Sequence, residues 1–217
     1  MPRESFDQDL KKLQDEVLTL GTMVEDALID SVEILKNKEF DEARRLIAYD
    51  ETINQKRYKI EETTLRLIAT QQPMAGDMRT LAGVLEIVTE LERMGDYAKG
   101  IAKICLMIGD QPLIKPLVDI PVIAEKTRHM LERALDAFVR RDVDLARQIP
   151  PQDDEVDDLY NQVYRELLTL IMANPHNIDQ ANYLLWVAHN LERAADRVTN
   201  ICERVIFTVT GELKELS

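Results

Sequence analysis

Apolar residues recur along this chain at spacings of three and four with few interruptions, and that period marks helices packed on one side. It predicts six helices, over residues 5–36, 40–70, 77–108, 118–139, 143–172 and 178–209. Breaks fall at Asn37-Lys38, at Gln72-Pro73, and through Gly109, Pro112 and Pro116. Asp77 is expected in the N-cap region of the third helix, and Gly211 just past the end of the last. Pro150 and Pro151 fall early in the fifth and should kink or delay it, because an interior proline costs about 3 kcal/mol. In the third helix Leu81, Val84, Val88, Leu91, Gly95, Ala98, Ala102 and Cys105 form one stripe, which Ile87, Met94, Ile101 and Ile108 widen. Leu184, Leu191, Ala195, Val198, Cys202 and Val205 repeat it in the sixth. A stripe this wide faces two neighbouring helices, as a three-helix bundle requires. Gly95, Ala98, Ala194 and Ala195 are small enough to let backbones approach closely.

The chain also repeats itself. Lys38-Glu39-Phe40-Asp41-Glu42-Ala43-Arg44 returns as Arg141-Asp142-Val143-Asp144-Leu145-Ala146-Arg147, an offset of 103 residues, and Asp50-Glu51-Thr52-Ile53-Asn54 returns as Asp153-Asp154-Glu155-Val156-Asp157. Leu91-Glu92-Arg93-Met94-Gly95-Asp96 returns as Leu191-Glu192-Arg193-Ala194-Ala195-Asp196, at an offset of 100. The three lost residues fall near Gln71-Gln72-Pro73 and Asn174-Pro175, where a loop is expected. Three segments matched in one order mean a duplication. The fold class is therefore all-α, with six helices in two tandem, similar three-helix bundles, residues 1–110 and 111–217.

Composition narrows the function. Forty acidic residues against 27 basic give a net charge of −13, a field that repels phosphate backbones and anionic lipid. Nucleic acid is thus excluded as a partner, while divalent cations and basic protein surfaces suit the charge. No stretch of about 18 apolar residues exists to span a membrane, and the N-terminus lacks the apolar core of a secretory signal, so a cytosolic location is expected. Cys105 and Cys202 lie in apolar helical stretches and are expected as buried, reduced thiols.

The chemistry is carried by acids four apart. Glu92 and Asp96, Glu192 and Asp196, and Asp153 and Asp157 each share one helix face; Asp50 pairs likewise with Asn54, and Asn200 extends the last helix's row by a turn. Like charges at this spacing destabilise a helix by about 0.2–0.5 kcal/mol per pair, so something should offset them. Two offsets are open. Arg93 and Arg193, three residues before Asp96 and Asp196, could make solvated ion pairs on a water-facing ridge. Alternatively, oxygen ligands converging from two helices suit a hard metal cation. His189 could add a ligand, although its order with Glu192 reverses the Glu-x-x-His of di-iron bundles, and Thr89 replaces it in the first copy. No glycine-rich phosphate loop, zinc cluster or nucleophile elbow is present, and the acid pairs Asp50-Glu51 and Asp153-Asp154 have no nucleophile to serve. An enzyme is not expected.

Those two Glu-x-x-x-Asp segments resemble the paired motifs of the PhoU family of phosphate-uptake regulators. The similarity spans the chain, including the Gln71-Gln72-Pro73 turn, Asp77-Met78-Arg79 after it, and the ending Val209-Thr210-Gly211-Glu212. It implies two three-helix bundles side by side, commonly as a homodimer. It also implies a cytosolic negative regulator joining the ATPase subunit of the phosphate ABC transporter to the phosphate-sensing histidine kinase. The alternative reading of the same acids is an iron-storage or redox carboxylate bundle. Some family members hold metal clusters at these motifs and others are metal-free, so Fe, Mn, Mg or Zn are the candidate ions. By that resemblance one site would use Asp50, Asn54, Glu92 and Asp96, and the other Asp153, Asp157, Glu192, Asp196 and Asn200. Gly100 stands where the motif usually carries an Asn, and Asn54 where the second copy has Asp157, so the first site should be the weaker or empty one.

Overall fold

The computed structural model describes residues 2–216, with side chains from residue 4 onward; residues 1 and 217, the outer limits of the two expected units, lie outside it. Among the described residues seven α-helices follow in order: α1 Pro2–Asn37, α2 Phe40–Gln71, α3 Ala75–Ile108, α4 Asp119–Arg140, α5 Val143–Gln148, α6 Asp153–Ala173 and α7 Ile178–Thr210. The chain is all-helical, with no strand among the described residues.

The fifth expected helix is broken rather than kinked. Asp142 caps α5 by accepting the Leu145 N–H at 2.9 Å, and Pro150–Gln152 then form a separate 3-10 turn. Proline has no N–H to continue the α-helical ladder, and its ring crowds the preceding turn. One consequence reaches the site: Asp153 opens α6, whereas its counterpart Asp50 lies inside α2. α3 starts at Ala75, and Asp77, expected in its N-cap region, sits in the first turn, where Oδ2 accepts the N–H of the capping residue Met74 at 3.1 Å. Gly211 ends α7 as expected, at φ 79°, donating its N–H to the Phe207 carbonyl at 2.8 Å.

The apolar stripes bury as their width requires. Leu81, Val84, Leu91, Leu184, Leu191 and Val198 are fully enclosed in one continuous core, each worth about 1.5–3 kcal/mol against exposure. α3 and α7 run antiparallel through its centre. Glu86 Oε2 meets Arg204 Nε at 2.5 Å, Glu90 meets Arg197 at 3.3 Å, and the Tyr97 hydroxyl meets Arg193 Nε at 3.2 Å, so partners descend one helix as they climb the other. α1 and α2 flank α3, while α4 and α6 flank α7. Small residues permit the close crossings: a Cβ on Gly83 would lie 2.4 Å from Thr208 Cγ2, and one on Gly95 3.2 Å from Ile53 Cδ1. Cys105 and Cys202 are free and buried, and burial pushes the Cys202 thiol up to about 12. Among the described residues no helix is long and apolar enough to cross a membrane.

Candidate functional site

Each acidic ridge forms where the middle and last helices of a unit lie side by side, α2 against α3 and α6 against α7. The two ridges share a donor pattern but differ in the cations around them.

In the first, Asp50 is almost fully buried, and its Oδ2 accepts from Lys99 Nζ at 2.6 Å and from Asn54 Nδ2 at 3.2 Å. The same ammonium reaches Asp96 Oδ1 at 3.2 Å. It thereby bridges α2 and α3, and the Asp50 hydrogen bond holds the Lys99 pKa above its usual value. Glu92 lies 3.8 Å from Arg57 Nη1. Burial raises the Glu92 pKa, with Asp96 and Asp50 adding to the rise and Arg57 opposing it.

In the second ridge, Asp153, Asp157, Glu192 and Asp196 act on one another. Burial raises the Asp153 carboxyl to about 7, with Asp196, Asp157 and Glu192 adding to the rise. Burial followed by Asp196 is the main cause for both Asp157 and Glu192, which also lie above the ordinary carboxylate range. Asp153 Oδ1 and Glu192 Oε2 are buried without a hydrogen-bond partner. His189 Nδ1 comes within 3.2 Å of Glu192 Oε2 but outside hydrogen-bond geometry, and Arg197 only grazes Asp196 at 4.0 Å. Asp153, Asp196 and Asn200 face an open cleft of about 770 Å³ that the C-terminal residues Glu215 and Leu216 also line.

The arginine offsets expected from the sequence are not the ones made. Arg93 turns back to Glu90 at 2.7 Å, and Arg193 reaches across to Tyr97, stacking over its ring at 5.9 Å. Asn200, proposed with the second set of acids, donates instead to Glu90 Oε2 at 3.2 Å. Glu90 therefore takes Arg93, Arg197 and Asn200 together and ties α3 to α7. Sequence reasoning missed Glu90, Lys99, Arg57 and Arg197. Setting the copies side by side beyond the motif would have exposed all four: Lys99 corresponds to Thr199, Arg57 to Tyr160, Glu90 to Asn190 and Arg197 to Tyr97.

Metal fit differs between the ridges. Among the described residues no three His, Cys, Asp or Glu side chains stand close enough to hold an ion as they are, so ligation anywhere requires side-chain rotation. The second ridge has the donors for it: four carboxylates, two of them with an unpartnered buried oxygen. The first also leaves one buried oxygen, Asp50 Oδ1, without a hydrogen-bond partner, but it does not fit, because Lys99 already lies between two of its carboxylates.

Fold and site define a class: a duplicated helical-bundle protein joined through antiparallel third helices, with a carboxylate ridge on each half. The PhoU domain model matches the chain twice, over residues 17–105 and 120–205. The chain belongs to the PhoU family. It is 35% identical over 218 residues to the phosphate-specific transport system accessory protein PhoU homolog of Clostridium acetobutylicum, covering 100% of both chains. To the phosphate-specific transport system accessory protein PhoU of Escherichia coli it is 35% identical over 207 residues, 95% of this chain and 86% of that one. The crystal structure of PhoU from Pseudomonas aeruginosa superposes with a TM-score of 0.87 at 33% identity, covering 95% of this chain and 100% of that one. That of the phosphate transport system regulatory protein PhoU from Streptococcus pneumoniae gives 0.89 at 31% identity, covering 96% and 99%.

Proposed function

We propose that this chain is an accessory protein of phosphate transport that acts as a negative regulator. In this reading it is a cytosolic, non-catalytic adaptor, homodimeric by the family resemblance. It links the ATPase subunit of the phosphate ABC transporter to the phosphate-sensing histidine kinase. The observation that carries the reading is similarity over all of this chain and all of one relative, and over 95% of this chain and 86% of another, both named as phosphate transport accessory proteins. The physical form agrees with it. Helices of 32 to 36 residues are about 50 Å long and offer extended faces for docking, and a net charge of −13 favours basic protein surfaces over nucleic acid. Cells lacking the gene are expected to express phosphate-starvation genes in phosphate-rich medium, and the tagged protein should copurify both partners there. Normal repression in the deletion strain would remove the regulatory role.

The second ridge adds a modulatory metal site in this reading. Asp153, Asp157, Glu192 and Asp196 would hold a hard cation such as Fe, Mn or Mg, with Zn a further candidate, and the orphaned oxygens of Asp153 and Glu192 are what favour it. Protein purified without chelator should lose most of its bound metal on Glu192→Gln with Asp196→Asn, measured by elemental analysis. Metal content unchanged by that pair rules the site out. The iron-storage alternative requires stoichiometric iron and oxidase turnover in the same preparation.

A further inference from the structure

We propose that Lys99 is a built-in counter-cation that closes the first ridge to metal, leaving the two halves of the duplication functionally unequal; the metal part of this inference rests on the reading of the second ridge given above.

Three observations converge on Lys99. Its ammonium lies 2.6 Å from Asp50 Oδ2 on α2 and 3.2 Å from Asp96 Oδ1 on its own helix, so it stands between carboxylates of both helices. An ammonium is a compact point charge with three donors, able to satisfy several oxygens at once. Arg57 gives the remaining acid, Glu92, a cation at 3.8 Å. At the corresponding positions the second half carries Thr199 and Tyr160, neither of which is charged.

The cations that do approach the second ridge are committed elsewhere. Arg197 spends its short contact on Glu90 at 3.3 Å, and Arg193 goes to Tyr97. Asn54 completes the difference, since it donates an amide N–H to Asp50 where Asp157 supplies another carboxylate. Two acids bridged by lysine, a third beside an arginine that also meets Glu61 at 3.7 Å, and an amide in the fourth place leave the first ridge less negative than the second. A divalent ion entering it must expel the Lys99 ammonium and leave that charge beside the metal. In the second ridge no cation stands between the carboxylates: an entering ion meets four acids and the weakly placed His189, with Arg147 and Arg197 also lining the cleft and Arg197 4.0 Å from Asp196.

The test is a manganese titration of chelator-stripped protein, following the free Mn²⁺ electron paramagnetic resonance signal. Wild type should bind, and Glu192→Gln with Asp196→Asn should abolish binding. Adding Lys99→Thr, which copies Thr199, to that double variant should restore about the wild-type amount of bound manganese, and adding Asp50→Asn should remove it again. A metal-free arm stands beside it: thermal unfolding in chelator of Lys99→Thr, Asp50→Asn and the two combined. Lys99→Thr alone should lower the melting temperature by about 5 °C, because it strands a buried carboxylate, and the combined variant should recover most of that loss. Binding that survives the Glu192/Asp196 pair and disappears with Asp96→Asn would overturn the proposal. So would Lys99→Thr failing to restore binding when wild type binds, or strictly additive melting shifts. If wild type binds no manganese, the metal reading of the second ridge falls, and the melting cycle alone decides whether Lys99 is the counter-cation.

Discussion

Glu90→Ala is expected to lower the melting temperature by about 5–10 °C, more than any other single change to a polar residue at the seam between the two halves. Glu90 accepts from Arg93 at 2.7 Å, Arg197 at 3.3 Å and Asn200 at 3.2 Å. The Glu90 and Arg197 side chains are only 12% and 17% exposed, so removing the carboxylate leaves a guanidinium that water reaches poorly. Breaking one partner of an enclosed pair costs about 3–5 kcal/mol, and somewhat less where water can enter, so about 2–4 is expected here. Each kcal/mol is worth about 2–4 °C in a chain of this size. Glu90→Gln keeps an acceptor and should lose less than half as much. A control at Glu51, which is exposed and accepts from Gln55 at 3.1 Å, should move the transition by under 2 °C. Equal shifts from Glu90→Ala and the control, measured by thermal unfolding, would show that the seam is held by apolar packing alone.

The second large effect is in pH. Metal-free protein should become less stable as pH rises from about 4 to 7, and Asp153→Asn should remove much of that slope. An unfolded aspartate titrates near 3.9, and the folded Asp153 is raised to about 7 by burial, then by Asp196, Asp157 and Glu192. Between those values the folded form binds a proton that the unfolded chain has released, so raising the pH favours unfolding. The penalty is absent below about 4 and complete above about 7. Asp157 and Glu192 are raised as well and contribute in the same direction. Three units correspond to about 4 kcal/mol, but Asp153 is only about half buried, and screening brings the expected gain from Asp153→Asn at pH 8 to about 1–2 kcal/mol. Denaturant melts in chelator at pH 4 and pH 8 measure it. Identical gains at both pH values would mean that packing, not charge, is responsible. The helix N-terminus at Asp153 favours the ionised carboxylate, yet the three neighbouring acids and burial outweigh it.

The two ridges show where reading the chain as a string reaches its limit. Glu92 with Asp96 and Glu192 with Asp196 were visible as pairs because a helical period places residues four apart on one face. Their partners were not. Arg93 and Arg193 have the right spacing for Asp96 and Asp196, but they lie where Glu90 and Tyr97 are nearer. Asn200 lies in register with the second acid row, yet its amide turns to α3 because α7 crosses that helix antiparallel. The weakness expected of the first site rested on Gly100 and Asn54. The structure adds an observation the sequence did not offer, the ammonium of Lys99 between Asp50 and Asp96, on which the proposed inequality of the two ridges rests.

From the sequence alone came the helices and most of their ends, the duplication, the buried stripes and the acids on each ridge. All of these follow from periodicity and from local backbone chemistry, which act within a few residues. Which cation reaches which carboxylate was settled only by the tertiary structure, as was the break that puts Asp153 at a helix start and the contact of Glu90 with Arg197 and Asn200 across the seam. Those depend on how helices far apart in the chain are rotated and crossed, because a hydrogen bond weakens steeply with distance and angle and a screened ion pair within about 10 Å. A rotation of one helix by a single residue's turn exchanges its partners while leaving its periodicity unchanged.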